Sequence, residues 1–165
     1  MIDVSYVGLM ADYNQWQNRA VVAAADTLDE AAREADRGAF FGSLRRTLSH
    51  ILWADLMWLH RFTGSARPEG SLAASPDYAR DWEPFRQNRA EIDRLIVAWS
   101  RAVDPAWLAG DLEWRSGLAG GVQRKPCGVV VAHFFNHQTH HRGQVHAMLT
   151  AAGATTQPTD LAFMP

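Results

Sequence analysis

Five of the seven histidines lie in one run, Ala132-His133-Phe134-Phe135-Asn136-His137-Gln138-Thr139-His140-His141-Arg142-Gly143-Gln144-Val145-His146. Imidazole titrates near neutrality and is the commonest side-chain nitrogen ligand for metals. The run holds no proline, and apolar residues lead into it and out of it, so it reads as helix. At about 100° per residue, His133, His137, His140 and Gln144 share a narrow stripe, with His141 at its edge and His146 pointing the other way. Several imidazoles close to an apolar interior are costly unless they are paired, hydrogen-bonded or bound to a metal.

His137 and His141 are four residues apart, so both can face one ion from a single helix. His133 makes the same spacing with His137, and spacing alone does not choose between His140 and His141. Two histidines do not complete a site, because a zinc-type ion takes at least three protein ligands. His50 and His60 are the remaining candidates. His50 lies in mid-helix among apolar residues, whereas His60 sits near a helix end beside Arg61, so His50 is the better third ligand. Three neutral imidazoles leave a divalent ion with open positions, which can polarise a carbonyl, lower the pKa of a bound water or hold a thiol as thiolate. The plainer reading is a set of core histidines held by hydrogen bonds.

The elements that must position these residues read as four long helices. The first runs from Tyr6 to Thr27, with Leu9, Met10, Tyr13, Trp16, Gln17 and Ala20 as its inward stripe. A charged connection, Leu28 to Gly38, leads to a second helix from Ala39 to Phe62. Leu44, Leu48, Ile51, Leu52, Asp55, Leu59 and Phe62 mark one side of it, and Thr47, His50, Ala54, Met57 and Trp58 the other, as in a helix buried on two faces. Thr63 to Ser75 is a loop rich in Gly, Pro and small residues. The third helix spans Asp77 to Ala102, with Trp82, Phe85, Arg89, Ile92, Leu95, Ile96 and Trp99 inward. Gly110 to Lys125 is either a small β-hairpin or an irregular loop. Pro126 opens the fourth helix, Cys127 to Ala152. The tail, Gly153 to Pro165, is extended and packed against the body. The expected fold is all-α, a four-helix bundle with a short insertion before the last helix, in one domain over residues 1–165.

Composition narrows the function. The chain has 165 residues, 47% hydrophobic and 21% charged, with a net charge of −2, as in a folded globular protein without the electrostatic footprint of a nucleic-acid or membrane-surface binder. A single cysteine, Cys127, rules out an internal disulfide and fits a reducing compartment. Neither a signal peptide nor a membrane-spanning apolar run is evident, so a cytoplasmic protein is expected. Seven tryptophans supply core and favour a buried interface.

Asn136-His137-Gln138-Thr139-His140-His141-Arg142-Gly143-Gln144 resembles the C-terminal motif of the DinB-like (YfiT/DinB) superfamily. Tyr13-Asn14-Gln15-Trp16, Phe41-Gly42-Ser43-Leu44, Thr47-Leu48-Ser49-His50-Ile51-Leu52-Trp53-Ala54-Asp55 and Pro158-Thr159-Asp160-Leu161 resemble its other signatures, in order. The resemblance implies an up-down-down-up bundle with a long crossover, usually a homodimer. It implies a metal triad of His50, His137 and His141, and so prefers His141 to His140. It further implies a divalent ion, zinc or nickel most often, and, in some relatives, thiol S-transfer or isomerisation with low-molecular-weight thiols as partners. Nothing in it implies a nucleic-acid surface.

Other polar residues have two readings each. Gln144 either orients a ligand imidazole or bound water, or bonds to backbone. Arg142 either binds an anionic substrate or pairs with an acid, and the pairing is preferred. Asp55 either orients a histidine or bonds to the first helix at Asn14 or Tyr13. Cys127 reads as structural, and Glu113 is the one acid assigned to the site mouth. The expected function is a metal-dependent thiol S-transferase or hydrolase acting on a small molecule; the alternative is a non-catalytic metal-binding or stress-response protein of the same fold.

Overall fold

The computed structural model describes residues 2–165. Six α-helices and one hairpin follow in order: α1 (Val4–Asp26), α2 (Glu30–Glu34), α3 (Leu44–Thr63), α4 (Trp82–Ala102), α5 (Pro105–Ala109), β1 (Asp111–Arg115), β2 (Val122–Pro126) and α6 (Cys127–Ala151). Short 3₁₀ turns at Leu72–Asp77 and Leu161–Phe163 complete the chain.

Caps set the boundaries. The Asp3 carboxylate accepts from the Tyr6 amide and starts α1. The Ser43 hydroxyl accepts from the Arg46 amide, and Gly64 closes α3 in the left-handed conformation. The second long helix therefore begins at Leu44, not at Ala39; Ala39 to Gly42 form a tight bridge instead. The third begins at Trp82, not at Asp77, because Pro76 and Asp77 finish a 3₁₀ turn.

Contacts across the bundle give its directions. Asp26 meets Trp82 while Asp12 meets Arg101, so α1 and α4 are antiparallel. Asp55 meets Arg89 while Phe62 meets Trp99, so α3 and α4 are parallel. His50 meets His141 while Trp58 meets His133, so α3 and α6 are antiparallel. The order is up-down-down-up, as expected. Parallel neighbours require a connection that travels the length of the bundle, which the segment between α3 and α4 supplies.

The core comprises Val7, Ala11, Leu44, Ile51, Leu52, Phe85, Ile96, Val131, Phe134, Phe135, Val145 and Leu149 among others. α3 is buried on two faces, as its pattern predicts. The α1 face is rotated from expectation: Leu9 is exposed, while Val7, Ala11, Asn14, Asn18 and Val21 face inward. On α4, Leu95 is exposed and Asp93 is buried. Both shifts have one cause, an internal polar network that takes helix positions an apolar pattern assigns to hydrocarbon. Of the tryptophans, only Trp53 is buried; Trp58, Trp82, Trp99, Trp107 and Trp114 are half-buried against the core, and Trp16 is half-buried beside Tyr13.

The insertion is an antiparallel hairpin, with Glu113 opposite Arg124 and Trp114 opposite Gln123. Its Leu112 packs with Cys127 and Val130 in a small core of its own. The tail is tied down through its backbone, since the Tyr13 hydroxyl donates to the Thr159 carbonyl and the Gln17 amide to that of Pro158. Leu161 and Phe163 remain exposed. No helix among the described residues is long and apolar enough to cross a membrane.

Candidate metal centre

His50 projects from the second turn of α3 into the seam with α6, where His137 and His141 lie one turn apart. One nitrogen from each of the three lies within 4.8 Å of the other two. His50 Nε2 and His137 Nε2 are 3.2 Å apart. Two nitrogens bound at 2.0–2.1 Å to a tetrahedral ion lie about 3.3 Å from one another, so this pair is already at ligand spacing. The three rings pack at centroid distances of 4.5–5.1 Å.

The crossover segment orients His50. Ser49 Oγ donates to the Ser75 carbonyl and accepts from the Ala79 amide, both at 2.9 Å. Arg45 donates to the Pro76 carbonyl at 2.9 Å and pairs with Asp77 at 3.2 Å. These bonds hold Ser75 Oγ 2.7 Å from His50 Nδ1. Ser75 spends its only hydroxyl proton on the Leu72 carbonyl at 2.7 Å, so it accepts from His50. His50 therefore carries its proton on Nδ1 and turns the Nε2 lone pair into the cluster.

Gln144 does the same for His141. Its amide oxygen accepts from His141 Nδ1 at 2.8 Å, and its amide nitrogen faces His140 Nε2 at 3.3 Å. Of its two readings, the orienting one holds. Phe41 lies over His50 at 4.3 Å and beside His141 at 5.5 Å, centroid to centroid. The next residue, Gly42, has φ +79°, a conformation that costs a side-chain-bearing residue about 1–2 kcal/mol and that bends Phe41 back onto the histidines.

Burial keeps all three imidazoles neutral. It lowers His50 to about 4, helped by the neighbouring His141. It lowers His137 to about 3, helped by the surrounding histidines. His141 is lowered too, against the opposing hydrogen bond to Gln144. Neutral imidazoles whose nitrogens converge, two of them with the distal N–H held by Ser75 and Gln144, are the donor set that a divalent ion needs. The residues fit such an ion and do not single out one metal.

The remaining histidines stay outside the cluster. His133 and His140 are exposed and His146 is half-buried; His60 Nδ1 faces the Ser65 carbonyl at 2.6 Å, beyond the end of α3.

Asp55 touches no histidine. It accepts from Arg89 at 2.6 Å and from the Gln138 amide at 2.8 Å. Its link to α1 is indirect: Arg89 also donates to Asp93 at 2.8 Å, and Asp93 accepts from Asn18 at 2.8 Å and Asn14 at 3.4 Å. Arg142 donates to the side-chain amide oxygen of Asn14 and to the Thr139 hydroxyl rather than to an acid. Two buried carboxylates and two buried guanidiniums thus balance inside the bundle. Burial raises both aspartates, Asp93 to about 6, while the two carboxylates hold Arg89 charged. Burial also lowers Arg142 to about 10, which leaves it charged at neutral pH.

Cys127 is buried, and burial together with Asp111 raises its thiol, as suits a structural residue. Glu113 lies on the exposed face of β1, opposite the Leu112 and Trp114 face that meets the bundle. It therefore does not reach the site mouth.

Ser75, Phe41 and Gln138 have no counterpart among the sequence-derived candidates. Ser75 sits in a segment that reads as plain loop, and only its contact with His50 marks it. Two surface hollows, of about 410 and 390 Å³, lie at the α1 and α6 N-termini and between α1 and α4. Neither is lined by a histidine. The cluster meets solvent instead along the half-buried edge of His137.

A model of the DinB family matches residues 1–165. Protein DinB of Bacillus subtilis (strain 168) is 25% identical over 153 residues, covering 90% of this chain and 87% of its own length. The crystal structure of a DinB-like protein from Bacillus cereus ATCC 10987 superposes with a TM-score of 0.64 at 19% identity, covering 86% of this chain and 89% of the other.

Proposed function

The chain belongs to the DinB family, and on that footing we propose that it is a divalent-metal-dependent enzyme of thiol S-transferase or hydrolase type, with His50, His137 and His141 as its ligands. One observation carries the reading: the Nε2 atoms of His50 and His137 face each other at 3.2 Å while Ser75 takes the Nδ1 proton of His50. The His50 Nε2 lone pair thus meets His137 Nε2 across a gap that one proton or one shared ion can fill, and the third imidazole, within 4.8 Å of both, favours the ion.

When bound, a divalent ion such as zinc or nickel would act as a Lewis acid and hold a thiol or a water in its deprotonated form at neutral pH. The protein's own work is positioning. Ser75 and Gln144 fix two rings, burial keeps all three uncharged, and Phe41 excludes water from one side. His137 borders the solvent-facing side, through which a small substrate would approach. A homodimer, implied by the family resemblance, belongs to the same reading and is checked by sedimentation.

A second reading has its own support. No carboxylate makes a hydrogen bond to the three histidines among the described residues, so no acid–base partner stands ready. That favours a protein that holds a metal without catalysis.

Metal analysis of untagged protein tests the shared part, and about one equivalent per chain is expected. A screen of small thiols against electrophiles, comparing metal-loaded protein with His137→Ala, divides the two. Equal rates would remove the catalytic reading.

A further inference from the structure

Arg61 stands out among the cations of this chain. It occupies the last turn of α3, half-buried, with its guanidinium 4.3 Å from the centre of the Trp58 ring and 5.8 Å from that of Trp114. Among the described residues it has neither an ion pair nor a hydrogen bond. Every other buried or half-buried arginine has such a partner, whereas Arg19, Arg67, Arg80 and Arg115, which also lack one, are exposed. Its charged neighbours are cationic or basic: Arg67 on the following loop and His133 on α6. Burial and the Arg67 charge lower Arg61 to about 10, so it stays charged at neutral pH.

Its position relates it to the histidines. His133 packs edge-on to Trp58 at 5.4 Å and lies 5.9 Å from His137, centroid to centroid. Arg61, Trp58, His133 and His137 thus form a continuous row along the α3–α6 seam. At 1.5 Å per residue, three residues of α3 and four of α6 make this row roughly 10 Å long. It runs out from the solvent-facing edge of His137.

We propose that Arg61, packed over Trp58 and Trp114, is the recognition residue for a carboxylate or phosphate on the substrate, whose reacting end lies at the three histidines. This rests on the metal-centre reading above. A planar guanidinium stacked on indole keeps its N–H edge free and loses little side-chain entropy when it pairs. An anion between Arg61 and Arg67 would also relieve their mutual repulsion. The substrate class is therefore an elongated acidic molecule, with the anion and the reacting group at opposite ends.

The test uses full-length protein loaded with cobalt(II) and two matched series of increasing chain length, ω-mercaptoalkanoates and ω-mercaptoalkanols. The cobalt absorption spectrum reports the sulfur end, and the Arg61 Nε–H resonance, assigned by its loss in Arg61→Met, reports the anion end. The acids of the length that spans the row should bind about tenfold tighter than the alcohols, as one charge-assisted hydrogen-bonded pair gives. Arg61→Met keeps an apolar cover on Trp58 and should erase that preference without changing alcohol binding. Arg61→Lys should restore part of it. Matched ω-mercaptoalkyl phosphates rank the two anion types.

Equal binding of acids and alcohols, or a preference that survives Arg61→Met, overturns the proposal and leaves the metal reading intact. If neither series changes the cobalt spectrum, the thiol reading fails. The Arg61 resonance of metal-free protein then decides alone with simple alkanoates: saturable shifts uphold the anion site, and an unmoved resonance ends it.

Discussion

His50 Nδ1 lies 2.7 Å from Ser75 Oγ, and this one bond couples the crossover segment to the candidate ligand set. The segment exists because α3 and α4 run parallel. Its backbone is sewn to α3 by Arg45 and Ser49. The connection that the topology demands thus also sets the tautomer of His50. Ser75→Ala should weaken metal binding by about 10–100-fold, the usual effect of losing an orienting partner of a ligand histidine. Competition with a chromophoric chelator measures it. Unchanged affinity would show that packing alone orients the ring.

His141 and His140 are adjacent in sequence but differ in placement, His141 being buried against His50 and His140 exposed. His141→Ala should leave too few ligands to retain metal through gel filtration, as should His50→Ala. His140→Ala should retain close to one equivalent. The reverse pattern would move the site to the exposed edge of α6.

The low values of His50 and His137, about 4 and about 3, have a signed consequence. Both lie below the ordinary histidine value of about 6.5. The unfolded chain therefore binds more protons than the folded one between pH 6.5 and 4, and metal-free protein should lose stability as pH falls through that window. Asp93, raised to about 6, works in the opposite direction below pH 6 and offsets part of the slope. Urea midpoints at a series of pH values should fall in the wild type and flatten in His50→Gln/His137→Gln. Calorimetry in buffers of different ionisation enthalpy should find almost no proton release from these two rings when metal binds at pH 7.

Arg89 bridges Asp55 and Asp93, and all three are buried. Removing one partner from such a set leaves buried charge uncompensated, at a cost of about 3–5 kcal/mol. Arg89→Met should lower the denaturation midpoint accordingly. Adding Asp55→Leu should cost less than the sum of the two single changes, because the residues share one network. Strict additivity would mean that the ion pair is energetically idle.

Gln138 donates to Asp55 from the residue beside His137, so the network and the triad share a helix turn. Gln138→Leu should destabilise the fold by about 1–3 kcal/mol, the cost of a buried acceptor left short of a donor. Thermal melts of metal-free protein detect it.

Much of this protein could be read without coordinates. Four long helices follow from the 3.6-residue recurrence of apolar positions, and the two-sided burial of α3 follows from apolar residues on both its faces. His50 stands out as a histidine in mid-helix among hydrocarbon. The spacing of His137 and His141 follows from helix geometry, and the choice of His141 over His140 came with the family resemblance. Local patterns go no further where polar side chains replace apolar ones inside the bundle. Asn14, Asn18 and Asp93 look like surface residues by composition, and Leu9 and Leu95 look like core. Only the balance of two carboxylates against two guanidiniums, brought together from α3, α4 and α6 and bonded to the asparagines of α1, reverses those assignments.

The periodic pattern of side chains along the chain determined the helices and the candidate ligands on them, because that pattern is a property of neighbouring residues. The tertiary structure decided which nitrogen of each ring is free, which residue holds it and what lies alongside. Ser75 reaches His50 from 25 residues away, and Arg61 joins the row that leads to His137 only after α3 and α6 pack antiparallel. Such relations depend on distances between segments far apart in sequence, and no local periodicity encodes them.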